Sequence, residues 1–145
     1  MKRYLVHYAT LGPIGYQPAS GTLASLVTML CLFCMPPIKA YWYLLSCIIL
    51  YIISHISIKT VLTHFKSADP SEIVIDELVG SLITFYGVTC SASSLLIGFL
   101  LFRFFDIFKI WPIHVVEKYG GPAGIMLDDV VAGIVSNLVL KLIIA

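Results

Sequence analysis

IMLDDVVAG, residues 125–133, sets Asp128 and Asp129 side by side in a C-terminal run that otherwise reads as a membrane helix. An ionised carboxylate near the centre of a spanning helix costs about 2.5–3.5 kcal/mol on insertion scales, so an adjacent pair needs a physical reason. The rest of the chain identifies the solvent. Its 145 residues are 59% hydrophobic and 12% charged, with a mean hydropathy of +0.98. That balance lies far outside the range of soluble domains and predicts an integral membrane protein. The expected architecture is an all-α helical bundle, because a helix satisfies its backbone within one segment. A net charge of +1 without a basic stripe gives no footing for nucleic acid.

Working outward from residues 125–133, about five segments have the apolarity of membrane-inserted helices: residues 21–36, 40–58, 73–88, 93–110 and 123–144. Pro36 and Pro37 end the first, and Gly120, Gly121 and Pro122 precede the last. No linker interrupts the chain, so residues 1–145 read as a single membrane-embedded domain. The first residues break into Gly and Pro before a secretory core develops, so they are expected to stay in the mature protein. The cysteine pair Cys31 and Cys34 is embedded in MLCLFCM without partner ligands, and with Cys47 and Cys90 reads as buried, inert membrane cysteines rather than a zinc or redox motif.

Lysine and arginine set the orientation. With the N-terminus in the cytoplasm, Lys2, Arg3, Lys59, Lys66, Arg103, Lys109 and Lys118 fall inside, and only Lys39 and Lys141 fall outside. The same arrangement gathers the acids. Asp69, Glu72, Asp76 and Glu77 lie at the inner end of the third segment, Asp106 at that of the fourth, Glu117 in the following loop, and Asp128 and Asp129 about one turn into the fifth. The outer half has none.

Three helix ends thus carry carboxylates to a common depth. Buried together they repel one another, and a hard divalent cation relieves that cost. Magnesium suits oxygen donors without Cys or His, so Asp76, Glu77, Asp106, Asp128 and Asp129 are the candidate metal ligands. In FRFFDIFK, residues 102–109, Arg103, Asp106 and Lys109 recur at three-residue spacing on one predicted helical face. Arg103 and Lys109 are the candidate phosphate-binding groups, the first as a bidentate fork and the second as a point charge. Phe104, Phe105 and Phe108 read as packing or interface aromatics. A blander reading has the paired acids meeting helix dipoles and the arginine ladder pairing with itself. IVIDELVG, residues 73–80, echoes IMLDDVVAG, and in both the small residue after the acids, Gly80 or Ala132 and Gly133, permits close helix approach.

These motifs resemble the bacterial phosphatidylglycerophosphatase A proteins, which are membrane lipid phosphatases. The resemblance spans nearly the whole chain and is carried by Gly21-Thr22, IVIDELVG, FRFFDIFKIWP at residues 102–112, and GGPAGIMLDDVVAG at residues 120–133. Ile110, Ile75 and Ser20 depart from the family pattern, and none of these removes a charged group. The resemblance implies Mg²⁺-dependent hydrolysis of phosphatidylglycerophosphate to phosphatidylglycerol and phosphate at the cytoplasmic face of the inner membrane, as a step of phospholipid synthesis. It carries over Asp76, Glu77, Arg103, Asp106, Lys109, Asp128 and Asp129 as the catalytic set. A carboxylate outside the metal site then serves either as base toward water or as nucleophile. Gly12 to Thr22 reads as a phosphate-contacting lid or as a plain re-entrant turn, and His64 as a proton shuttle or an interface residue. The rival from another class is a divalent-cation or proton transporter, which needs polar groups at the opposite mouth as well. A non-catalytic subunit whose charges pair with partner helices is a third reading.

Overall fold

The computed structural model describes residues 2–65, 67 and 70–144, without the side chains of Lys2 and Glu117, so the expectations at Lys66 and Asp69 lie outside the described residues. Among these residues the chain is all-helical: α1 (Lys2–Ala9), α2 (Ser20–Cys34), α3 (Ala40–Val61), α4 (Ile75–Thr84), α5 (Ala92–Phe108), α6 (Ile113–Glu117) and α7 (Gly121–Ile144). The five expected segments correspond to α2, α3, α4, α5 and α7. Helices α1 and α6 were not foreseen. The first is an amphipathic segment that packs on α3, where Tyr8 Oη lies 3.0 Å from Ser54 Oγ.

Among the described residues one stretch, Ala40–His64, is both long and apolar enough to cross a membrane, with 25 residues and a hydropathy of 1.9. Helix α4 has 10 residues, so it reaches only about 15 Å, half the thickness of a hydrocarbon core.

Polarity is turned outside in. Along α3 the outward face carries Leu44, Leu45, Ile48, Ile49, Ile52, Ile53 and Ile56, all exposed, while Ser54 and Ser57 are buried. Small hydroxyls reach the interior because they are satisfied within their own helices: Ser25 donates to Gly21 O, Thr28 to Ala24 O, Ser57 to Ile53 O and Thr84 to Gly80 O. Cys31 and Cys34 stand on the exposed face of α2, Cys47 is buried and all four thiols are unpaired, so the expected burial of Cys31 and Cys34 does not hold in the isolated chain.

The close packing of α4 on α7 positions everything else. A methyl group on Gly133 would overlap the carbonyl oxygen of Gly80, and one on Gly80 would stand 2.6 Å from Asp129 O and 2.7 Å from Phe102 Cε2. The two echoing motifs therefore meet backbone to backbone. Phe102 of α5 is fully buried beside this contact, in a cluster with Ile113 and Ala132. At one end of the pair Ile75 and Val79 of α4 and Met126 of α7 close a core with Ala9, Ile58 and Val61. At the other, Asn137 Nδ2 donates to Thr84 O at 2.8 Å and Tyr86 O at 2.9 Å, tying the end of α4 to α7. Lys141 lies over the Tyr86 ring at this same end.

Gly133→Ala forces the α4 and α7 backbones apart, an overpacking cost of about 1–3 kcal/mol. Thermal unfolding of the purified chain in detergent should show a lower midpoint, whereas Gly120→Ala, where an added methyl meets no neighbour, isolates the effect of a positive φ without overpacking.

Candidate active site

Asp76 and Glu77 occupy the first turn of α4, and no side chain caps that helix. Asp129 faces them from α7. Oxygens of Asp76, Glu77 and Asp129 all lie within 4.8 Å of one another. Asp76 and Asp129 are 7% and 3% exposed, and both Asp76 Oδ1 and Glu77 Oε2 are buried without a hydrogen-bond partner. At that separation two carboxylate charges repel by on the order of 3 kcal/mol at an effective dielectric of 20. Orphaned buried oxygens of like charge, with no nitrogen or sulfur ligand among them, fit a hard oxygen-seeking cation.

The remaining acids hold the cations. Arg103 Nη1 pairs with Asp106 Oδ2 at 2.6 Å across one turn of α5. Lys109 Nζ sits 2.8 Å from Asp128 Oδ2, and Asp128 Oδ1 accepts from the backbone N–H of Asp129 at 3.0 Å. The expected single face of Arg103, Asp106 and Lys109 is thereby corrected. Helix α5 ends at Phe108, and Lys109 adopts the left-handed conformation, φ 44 and ψ 46, where glycine or asparagine is usual. This backbone turn carries the ammonium out of the ladder and across to α7. Strain of this kind at a charged residue is characteristic of functional sites.

The depth of Asp128 is a second correction. Helix α7 begins at Gly121, so Asp128 lies about two turns in rather than one, roughly 10 Å from the start. Dipole stabilisation is confined to the first turn. It accounts for Asp76 and Glu77 but not for Asp128 and Asp129.

Asp76, Glu77, Asp106, Lys109, Asp128 and Asp129 line one cavity of about 180 Å³ together with Pro70, Ser71, Ile73 and Ile125. Arg103 stands at its edge and also lines a neighbouring groove of about 530 Å³ formed by residues 15–21 with Ser71 and Glu72. All seven sequence-derived candidates are thus brought together. Among the described residues every acidic side chain, Glu72 included, belongs to this end of the bundle, and the far end around Tyr43, Phe85 and Thr89 offers no carboxylate. A transporter is not favoured by that asymmetry. His64 is exposed beside Thr63 and lines neither space.

Sequence reasoning left the N-terminal loop undecided between a lid and a turn. It is docked against the site. Ser20 Oγ donates to Ser71 O at 2.7 Å, the amide of Val74 donates to Ala9 O at 3.0 Å, and a methyl at Gly15 would overlap Glu72 O. A side chain at Gly21 would collide with the Glu77 carboxylate and stand 3.2 Å from Arg103 Nη1. The Gly21-Thr22 pair was the available signal for this contact.

Three comparisons bear on the chain as a whole. A Bacteroides thetaiotaomicron protein with the provisional name phosphatidylinositol-3-phosphatase is 30% identical over 88% of this chain and 82% of its own length. Phosphatidylglycerophosphatase A of Escherichia coli is 40% identical over 52% of this chain, and that of Haemophilus influenzae 44% identical over 49%. These two matches each cover 45% of the relative. No solved structure matches the chain significantly. The model of the phosphatidylglycerophosphatase A family matches residues 7–144 and so takes in every helix from which the site is built; the chain belongs to that family, and it is a phosphatase.

Proposed function

We propose that the chain hydrolyses the terminal phosphomonoester of phosphatidylglycerophosphate, giving phosphatidylglycerol and inorganic phosphate, and that it does so at the cytoplasmic face of the inner membrane as a multi-pass protein. The observation that carries this reading is the trio Asp76, Glu77 and Asp129 within 4.8 Å, flanked by two cations that are each held by a further carboxylate. Family membership supports the activity. Both phosphatidylglycerophosphate and the phosphatidylinositol 3-phosphate named for the Bacteroides relative carry a phosphomonoester on a hydroxylated headgroup, which a phosphodiester joins to the lipid.

The membrane reading rests on the apolar exterior and on two groups of exposed aromatics. Tyr4, Tyr16, Trp111 and Tyr119 cluster toward the carboxylate end, and Tyr41 and Trp42 begin α3 at the other, as interfacial belts do. The excess of lysine and arginine at the carboxylate end supports a cytoplasmic site.

Asp76, Glu77 and Asp129 are the residues suited to hold Mg²⁺, which when bound supplies charge neutralisation at the phosphoryl oxygens. Lys109 places a point charge against the phosphoryl oxygens, and Arg103 adds its positive charge from the edge of the cavity. Asp106 and Asp128 fix those two cations and keep them from folding onto the trio. In the overall reaction water adds oxygen to phosphorus, the P–O bond to glycerol breaks, and the alkoxide leaves protonated.

Asp129→Asn should lower phosphate release at least a hundredfold, a loss of about 3 kcal/mol in transition-state stabilisation, while the thermal midpoint in detergent stays level or rises because one repelling charge has gone. Turnover near the wild-type rate would remove Asp129 from the essential set. Chelation of divalent cations is expected to abolish phosphate release reversibly, with activity returning on addition of Mg²⁺; full activity in chelator would exclude the metal role assigned to the trio.

A further inference from the structure

The groove beside the carboxylate cavity has no task in the reaction as described. It holds about 530 Å³ and shares Ser71 with the carboxylate cavity, while Arg103 lines the groove and bridges into that cavity through its Asp106 pair. Arg103 has one commitment toward the cavity, the Nη1 contact to Asp106. Its Nε is buried without a hydrogen-bond partner, so part of its donor fork is uncommitted. Opposite it the chain enters α2 through Ala19 at φ 56, and the first turn of that 15-residue helix, starting at Ser20, sets Gly21 against the Glu77 carboxylate and the guanidinium. Its leading N–H groups have no intrahelical acceptor. Gln17 and Glu72 supply acceptors for hydroxyl groups along the same wall.

We propose that this groove is a headgroup subsite in which Arg103 and the start of α2 take the phosphodiester of the lipid while the phosphomonoester occupies the carboxylate cavity. The proposal rests on the lipid phosphatase reading and adds a basis for selectivity. A lipid with both phosphates engages both spaces through the arginine that borders them, whereas phosphatidic acid, whose only phosphate is the monoester, leaves the groove empty. Binding energy gained at the diester is then spent on holding the monoester in place.

The test uses the full chain in mixed detergent micelles, with phosphate release measured on phosphatidylglycerophosphate and on phosphatidic acid of matched acyl chains. Gln17 is exposed, lines the groove and lies outside the catalytic set, so its charge is changed in both directions. Gln17→Glu should raise KM for phosphatidylglycerophosphate about fivefold with kcat held, and Gln17→Lys should lower it by a similar factor. Both shifts should shrink as salt is raised, and neither variant should alter turnover of phosphatidic acid. Opposite signs from one position cannot come from misfolding. Equal effects on the two lipids, no effect on either, or a wild-type enzyme that does not prefer phosphatidylglycerophosphate would overturn the subsite while leaving the phosphatase reading intact. Phosphate release from neither lipid by the wild-type enzyme would overturn that reading and the subsite with it.

Discussion

The contact on which this molecule depends is the approach of two backbones at Gly80 and Gly133, where neither helix has room for a methyl group. Without a hydrophobic force between helices in lipid, association relies on close packing, and small residues at the seam are what allow it. Each glycine follows a pair of acids within one or two turns. Bringing the glycines together therefore brings the acids together. Phe102 fills the space beside the seam and locks α5 to the pair, which sets the register of Arg103 and Asp106 one residue and one turn further along.

The site then follows as a division of labour among like charges. Asp76, Glu77 and Asp129 form an inner group whose oxygens are crowded and partly orphaned. Asp106 and Asp128 form an outer group, each neutralised by one cation. In the proposed mechanism the outer pairs hold in place an arginine and a lysine that would otherwise swing further onto the inner trio. Lys109 reaches its partner only because the chain leaves α5 through a left-handed residue. The unfavourable backbone and the favourable ion pair belong to one arrangement.

Much of this was legible in the sequence. Apolar runs gave the five principal helices, the distribution of lysine and arginine placed the acids at one end, and the echo of IVIDELVG in IMLDDVVAG marked the seam as well as the acids beside it. What escaped has identifiable causes. Helices α1 and α6 are too short for periodicity to declare them. Three-residue spacing put Lys109 on the face of Arg103 because nothing in FRFFDIFK signals that the helix stops at Phe108. Asp128 sits deeper than expected because Gly121 and Pro122, which punctuate the run, lie inside α7 as its first turn. The docking of residues 9–21 depends on contacts with Ser71, Glu72 and Val74, 51 to 65 residues away, a relation that local pattern does not encode.

The account stands on the inner trio as a divalent-cation site, and spectroscopy on the metal addresses that without reference to turnover. Mn²⁺ is a paramagnetic stand-in for Mg²⁺ with the same preference for oxygen. Electron paramagnetic resonance of the full chain in detergent, titrated with Mn²⁺, should show loss of the free-ion signal through saturable binding that Mg²⁺ displaces, and Asp76→Asn should return the signal to the free ion. An unchanged free-ion signal at millimolar Mn²⁺, or binding that Asp76→Asn leaves intact, would contradict it.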